Sequence, residues 1–203
     1  MDEARLHSVA EELNIPHIYT DFAAMCADPE LDGVVIVSPS FLHVEQIKIA
    51  MEHGKHVFCE KPLGIDVAQC KEAEKVVEAH PELVFQLGFM RRFDPSYAEA
   101  KRRVDAGEIG KVVLVRSYTQ DPRSTIESTL KFAPHSGGQF LDMCVHDLVR
   151  WHTAFLAEMQ AFTDHIRNGT HPADLTVYDG TAVSEAAYRC KESFETGKML
   201  PIR

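Results

Sequence analysis

The chain has 203 residues, of which 45% are hydrophobic and 26% charged, as in folded globular proteins rather than disordered chains. Its net charge of −10, without any Lys- or Arg-rich run, argues against a nucleic-acid partner. No apolar run reaches the roughly 18 residues of a membrane span, and the polar amino terminus does not resemble a signal peptide. Five scattered cysteines without a Cys-x-x-Cys pair fit a reducing compartment. We therefore expect a cytoplasmic protein without nucleic-acid or membrane partners.

The first half of the sequence alternates helical and strand patterns. Apolar spacing predicts a helix over residues 3–13, and Asp21 is the expected N-cap of a short helix over 22–26. The β-branched run over 34–37 predicts a strand buried on both faces, as in a parallel sheet. The further predicted elements are helix 41–53, strand 56–59, helix 66–79 and strand 83–87. This order predicts a doubly wound α/β sheet, which binds ligands beyond the carboxyl ends of its strands.

The second half of the sequence has a different pattern. A helix over 95–106 is expected to end at Gly107, and alternating apolar residues predict a strand over 111–119. Residues 120–138 are expected to form a loop because Pro and Gly are frequent there. The remaining predicted elements are a helical pattern over 139–154 that continues through 155–168, a helix over 178–196 and a short strand over 199–200.

Glu60-Lys61-Pro62 is the sharpest local motif. A Lys at the end of a buried strand would project into the ligand crevice, where it could move a proton or hold a substrate hydroxyl. The alternative is a surface Lys at a strand end. Near the other strand ends, Ser38-Pro39 and His43 could line the crevice, or could simply begin a helix. Arg91 could bind an anionic or polyhydroxy ligand, or form a surface ion pair.

A second motif places Asp142 and His146 four residues apart, on one face of a predicted helix. Histidine is the usual general acid or base near neutral pH, and a nearby carboxylate can orient it. The alternative is a helix start at which acidic residues are favoured by the helix dipole, with a partly buried His. No third ligand points to a metal site.

Taken in order, these motifs resemble the Gfo/Idh/MocA family of NAD(P)-dependent oxidoreductases, in particular its inositol dehydrogenase-like members. The residues that carry the resemblance are Val34 to Pro39, His43, Gly54 to Pro62, Gly88 to Asp94, Gly137-Gly138, Asp142-Met143 and His146-Asp147. The resemblance implies a partial Rossmann-like parallel sheet followed by a truncated α+β C-terminal domain. It also implies hydride transfer from a secondary alcohol of a cyclitol or sugar to NAD or NADP.

The resemblance also assigns roles to individual residues. Lys61 would bind the reacting hydroxyl and relay its proton, His146 would be the general base, and Asp142 would position substrate and base. The implied cofactor-binding residues are Ser38, Pro39, His43, Glu60 and Lys61. The implied substrate-binding residues are Lys61, Arg91, Asp142 and His146. A metal ion is not implied.

The sequence also departs from the family pattern. It contains no Gly-x-Gly-x-x-Gly, the turn expected to hold a dinucleotide pyrophosphate. Trp151-Ala154 also runs directly into Phe155-Gln160, without the strands that the family pattern has between these two segments. We therefore expect residues 1–88 to be a partial cofactor domain that binds NAD(P) weakly, and residues 89–203 a partial substrate domain. The alternatives are an inactive family remnant acting as a binding or oligomerisation module, and a different small α/β enzyme. Homo-oligomer formation is left open.

Overall fold

The computed structural model of the protein describes residues 2–113, 123–133, 136, 154–173 and 175–198. Short 3-10 turns over Ser40–Leu42, Met90–Phe93 and Arg123–Thr125 connect some of the longer elements. The strands and α-helices of the described ranges, in chain order, are α1 (Glu3–Glu12), α2 (Phe22–Cys26), β1 (Gly33–Ile36), α3 (His43–Glu52), β2 (His56–Glu60), α4 (Val67–Ala79), β3 (Phe85–Gly88), α5 (Pro95–Asp105), α6 (Ile126–Phe132), α7 (Ala154–Asn168) and α8 (Val177–Thr196).

The three strands form one parallel sheet in the order β1-β2-β3. Helices α3 and α4 make the two crossovers, so the predicted alternation of strand and helix is confirmed. Strand β3 begins later than predicted because the Leu83 N–H donates to the carbonyl of His80 at 3.0 Å, in a turn that precedes the strand.

Side-chain caps begin several of the helices. Asp21 accepts a hydrogen bond from the Ala24 N–H at 2.7 Å, as predicted, and Asp66 accepts one from the Gln69 N–H at 2.8 Å. Thr176 and Asp179 form a reciprocal capping box at the start of α8. Each cap satisfies backbone donors that lack a partner within the helix.

The sheet packs on both faces. Alternate strand residues, including Ile36, Val57 and Leu87, share one buried cluster with α3, α4 and the start of α8. On the opposite face, Phe58 and Val84 pack against Phe162 of α7. Because successive strand residues point to opposite faces, this alternation places α7 on the face opposite α3 and α4. Helices from the second half of the sequence therefore contribute to both sides of the sheet.

The prediction that β1 is buried on both faces is wrong. Val34 and Ile36 are buried, but Val35 is 49% exposed and Val37, just after the strand, is 70% exposed. Among the described residues β1 is an edge strand, and the cluster around α7 includes residues of β2 and the β3 approach but none of β1. A run of β-branched residues thus identified the strand without showing what covers its second face.

The predicted loop over 120–138 is wrong in its middle part, where α6 is helical. Arg123 to Phe132 contains neither Gly nor Pro, and the Ser128 and Thr129 hydroxyls donate to the Thr125 carbonyl at 2.8 and 2.9 Å. The prolines that suggested a loop flank this helix. Residues 111–113 are not in a strand; the rest of predicted strand 111–119, the predicted helix over 139–153 and strand 199–200 lie outside the described residues.

The helices of the described ranges include none that is long and apolar enough to span a membrane.

Candidate active site

The carboxyl ends of the three strands lie side by side at one edge of the sheet. Ile36 of β1 is in register with Cys59 of β2, and Glu60 is in register with Gly88 of β3. The residues that follow each strand therefore begin from neighbouring points. This arrangement brings the Ser38-Pro39, Glu60-Lys61-Pro62 and Gly88-to-Arg92 segments to one edge, where parallel sheets bind ligands.

His43, the first residue of α3, ties two of these segments together. Its Nδ1 lies 2.7 Å from the Pro62 carbonyl oxygen and its Nε2 lies 2.8 Å from the Ser38 carbonyl oxygen. The side chain is buried, and burial lowers the pKa of its imidazole, although the two carbonyls act in the opposite direction. His43 therefore fixes the backbone at the ends of β1 and β2, and its direct contact with a cofactor remains a prediction.

Ser38 also belongs to this arrangement through its side chain. Its hydroxyl donates to the side-chain oxygen of Gln46 in α3. Helix α3 thus holds the end of β1 through a side-chain contact from Gln46 and a backbone contact from His43. Both come from the first turns of the helix that follows the strand.

Glu60 and Lys61 lie at the turn after β2. Both residues are partly buried, and the Lys61 backbone N–H donates to Glu60 Oε2 at 3.2 Å. Burial raises the pKa of the Glu60 carboxyl, while the Lys61 N–H and the Lys61 charge oppose that rise. The turn therefore places an ammonium group and a partly desolvated carboxyl group next to each other at the strand-end edge.

Two arginines follow β3 and differ in their surroundings. Arg91 is 1% exposed, so the surface alternative considered for it is wrong, and its 3-10 turn packs against α7. Arg92 stacks over the Phe89 ring at 5.9 Å and lies 3.4 Å from Asp179 of α8. Arg91 is thus buried beside the candidate site, whereas Arg92 links the turn to the capping box of α8.

Glu158 of α7 is a buried acid that the sequence reasoning missed. Its side chain is fully buried, and its backbone carbonyl accepts a hydrogen bond from the buried Gln86 side chain of β3 at 3.2 Å. Burial, with a further contribution from the Glu60 carboxylate, raises the pKa of Glu158 to about 8. The sequence does contain one sign of this burial: Glu158 lies four residues before Phe162, on the apolar face of a helical pattern.

The predicted catalytic pair Asp142 and His146 lies outside the described residues. Of the other predicted site residues, Ser38, Pro39, His43, Glu60 and Lys61 come together at the first two strand ends, and Arg91 follows the third.

Two family models match consecutive parts of the chain. The model described as "Oxidoreductase family, NAD-binding Rossmann fold" matches residues 1–89, and the "GFO/IDH/MocA C-terminal domain" model matches residues 97–186. The chain belongs to the Gfo/Idh/MocA oxidoreductase family. The first match ends just after β3, so it contains all three strands of the parallel sheet that the structure describes.

Several curated relatives are named as inositol dehydrogenases. The scyllo-inositol 2-dehydrogenase (NAD(+)) of Bacillus subtilis is 40% identical over 171 residues, which cover 84% of this chain and 48% of the relative. The myo-inositol 2-dehydrogenase of Thermotoga maritima is 34% identical over 147 residues, which cover 71% of this chain and 42% of the relative. This Gfo/Idh/MocA chain therefore spans about half the length of the curated relatives it matches.

Solved structures of the family share its fold. Myo-inositol 2-dehydrogenase from Lactobacillus plantarum matches with a TM-score of 0.92 and 28% identity, over 100% of this chain and 89% of that chain. Scyllo-inositol dehydrogenase from Lactobacillus casei with bound NAD(H) and scyllo-inositol matches with a TM-score of 0.88 and 29% identity, over 98% of this chain and 88% of that chain.

The described residues fit one end of a nicotinamide dinucleotide better than the other. At the strand-end edge, a partly buried Lys and a backbone fixed by His43 offer the polar groups that a nicotinamide and a substrate hydroxyl would require. A pyrophosphate is usually held by a glycine-rich turn at a helix N-terminus, and the sequence contains no Gly-x-Gly-x-x-Gly. The site therefore fits the nicotinamide end of the cofactor.

Proposed function

We propose that the strand-end site belongs to an NAD(P)-dependent dehydrogenase that oxidises a secondary hydroxyl of a cyclitol or sugar. The observation that carries the proposal is the Glu60-Lys61-Pro62 turn, held at the edge of the parallel sheet by His43. Relatives named as inositol 2-dehydrogenases support the substrate class. Residues 1–88 would face the cofactor and residues 89–203 the substrate.

The residues of this chain would bind the substrate and move its proton. When bound, a nicotinamide accepts the hydride from the carbon that carries the hydroxyl. The Lys61 ammonium group would donate a hydrogen bond to the reacting hydroxyl oxygen and hold it in place. His146 would accept the hydroxyl proton, and Asp142 would orient the imidazole. Arg91 would contribute to the substrate side of the site.

The cofactor side of the site would be formed by backbone and small side chains. Ser38 and Pro39, with the ends of β1 and β2 fixed by His43, would present a rigid surface to the nicotinamide. Glu60 would lie beside Lys61 and hold its backbone. Because the sequence lacks the glycine-rich turn, we expect weak binding of NAD or NADP by this chain.

The test is the formation of reduced cofactor, followed at 340 nm with scyllo- or myo-inositol and millimolar NAD⁺. Replacement of Lys61 by Ala should lower the rate by about 100-fold or more. The matched control is Lys71→Ala, which removes an exposed ammonium group that pairs with Glu185 on the surface of α4 and α8. Lys71→Ala should leave the rate unchanged.

Two outcomes would contradict the proposal. A Lys61→Ala rate equal to that of the unmodified chain would remove Lys61 from the chemistry. A folded chain that binds neither NAD⁺ nor NADP⁺ at millimolar concentration in isothermal titration would favour the alternative of a module without turnover.

A further inference from the structure

Glu158 lies on α7 and Glu60 lies on β2, and these two elements pack against each other. Phe162 of α7 meets Phe58 of β2 with ring centroids 5.9 Å apart. One helical turn back from Phe162 is Glu158, about 6 Å away along the helix, and two residues on from Phe58 is Glu60, about 6.6 Å along the strand. The two carboxyl groups thus follow the two phenyl rings toward the same edge of the sheet.

Contacts with β3 agree with this alignment. Gln86 is in register with Phe58, and its side-chain amide donates to the Glu158 backbone carbonyl at 3.2 Å. Gly88 is in register with Glu60, and a Cβ at Gly88 would lie 3.1 Å from the Glu60 carboxyl carbon and 3.0 Å from Phe58 Cζ. Glu60 therefore lies over a position where a side chain is absent, on the face covered by α7.

Both carboxyl groups are withdrawn from water, Glu158 completely and Glu60 in part. Glu158 is fully buried, and no side-chain donor of the described residues reaches its carboxyl oxygens. Among the described residues, the charged groups on the elements packed nearby are Glu60 and Lys61 at the end of β2, and Arg91 and Arg92 on the turn after β3. Two carboxylates brought together away from water cannot both ionise without a large cost.

The acidities of both groups agree with the geometry. Burial raises the pKa of Glu60, and burial together with the Glu60 carboxylate raises the pKa of Glu158 to about 8. The Phe89 backbone amide acts in the opposite direction on Glu158 without cancelling the rise.

We propose that Glu158 is a positioning residue whose carboxyl group shares one proton with the Glu60 carboxyl group. The shared proton lets Glu158 donate a hydrogen bond to Glu60 in place of a repulsive contact. Glu60 in turn accepts the Lys61 backbone N–H, so the pair fixes the Glu60-Lys61-Pro62 turn from the side of α7. The consequence for catalysis rests on the proposed function, because it assumes that Lys61 contacts the reacting hydroxyl.

The first test titrates the carboxyl groups in the cofactor-free chain. The chain is labelled with ¹³C at the glutamate side-chain carboxyls, and their NMR shifts are followed from pH 4 to 10. One resonance should titrate near pH 8, and it should be missing in Glu158→Gln. The matched control, Asp164→Asn, removes an exposed acid from the same helix and should leave that resonance unchanged. If every glutamate titrates below about pH 6, no proton is shared and the proposal is wrong.

The second test asks whether the pair holds Lys61. The acetylation rate of Lys61 relative to exposed Lys71 is measured by mass spectrometry without cofactor. Glu158→Gln keeps a donor toward Glu60 and should leave this ratio unchanged. Glu158→Ala should alter it by about threefold or more, because the turn loses its support, and Asp164→Asn should have no effect. An unchanged ratio in Glu158→Ala would overturn the positioning role.

A further variant covers the case in which Glu158→Ala does not fold. Gly88→Ala leaves the sequence of α7 unchanged, but its Cβ would lie 3.1 Å from the Glu60 carboxyl carbon and 3.0 Å from Phe58 Cζ, so these groups must shift by a few tenths of an ångström. It should move the titration midpoint of Glu158 and alter Lys61 acetylation, whereas an unchanged midpoint and rate would contradict the pair. Both readouts are obtained without NAD⁺, so they remain informative even if the proposed dehydrogenase activity is not found.

Discussion

The ring of Phe162 packs edge-on against the ring of Phe58, with centroids 5.9 Å apart and planes inclined at 62°. Phe58 belongs to the central strand of the sheet and Phe162 to a helix about a hundred residues later in the chain. Both side chains are buried. This pair is part of the apolar cluster through which α7 covers the second face of the sheet.

Replacement of Phe162 by Ala should lower the free energy of unfolding by about 3–5 kcal/mol, because it leaves a cavity between α7 and β2. Urea denaturation followed by circular dichroism measures this loss. Phe194→Ala is the control, since Phe194 is 80% exposed, and it should change the free energy by less than about 0.5 kcal/mol. Equal losses in the two variants would mean that α7 does not depend on this contact.

Gly180 of α8 should not tolerate a methyl group. A Cβ there would lie 2.7 Å from Leu87 Cδ2 and 2.9 Å from Leu63 Cβ. Gly180→Ala should therefore lower the free energy of unfolding by about 1–3 kcal/mol, although Ala is the better helix former by about 1 kcal/mol. Thermal denaturation compares the stability of Gly180→Ala with that of Ala182→Gly, a variant at an exposed site on the same helix. A more stable Gly180→Ala chain would contradict the close packing of α8 on β3.

His43→Phe should separate the hydrogen-bonding role of His43 from its volume. The variant leaves the Ser38 and Pro62 carbonyls without their side-chain partner in a buried place, at a cost of about 1–3 kcal/mol. His53 lies on the same helix and its Nδ1 is 2.7 Å from the Ile49 carbonyl, but it is exposed to water. His53→Phe should therefore cost less than about 0.5 kcal/mol in the same urea titration at pH 7.5. Similar costs at both positions would argue against the bridging role.

The raised pKa of Glu158 predicts how stability depends on pH. Its pKa rises from 4.5 to about 8 in the folded chain, so the folded state holds a proton that the unfolded state has released. The stability associated with this proton is full below about pH 4.5 and is lost as the pH rises through about 8, with a slope approaching 1.4 kcal/mol per pH unit. The difference in unfolding free energy between the wild-type chain and Glu158→Gln, measured from pH 4 to 9, should show this fall. A pH-independent difference would contradict the raised pKa.

The secondary structure of the first half follows from local signals. Asp21 and Asp66 cap helices near the predicted starts, and the apolar runs of β1 to β3 are strands in the predicted order. The same local reasoning failed for α6, where flanking prolines suggested a loop, and for the second face of β1. In the first case the residues between the two prolines form a helical segment of their own. In the second case burial depends on a neighbour that the run itself does not specify.

The strand-end site was predictable only in part. Glu60 and Lys61 directly follow one strand pattern and His43 lies in the helix after another, so their common edge follows from parallel pairing. Glu158 was missed because its partners, Glu60 and Gln86, are distant in the sequence. A carboxylate on an apolar helix face gives no indication of which acid it will meet.

By itself, the sequence determined the order of strands and helices, the helix caps and the residues that follow each strand, because these depend on side-chain periodicity and on neighbours within a few positions. Only the tertiary structure decided that α7 covers β2 through Phe162, that His43 bonds to the carbonyls of Ser38 and Pro62, and that Glu158 is buried where its backbone carbonyl bonds to Gln86. The physical reason is that burial and the acidities that depend on it arise from contacts between distant segments, and these contacts exist only after the chain has packed.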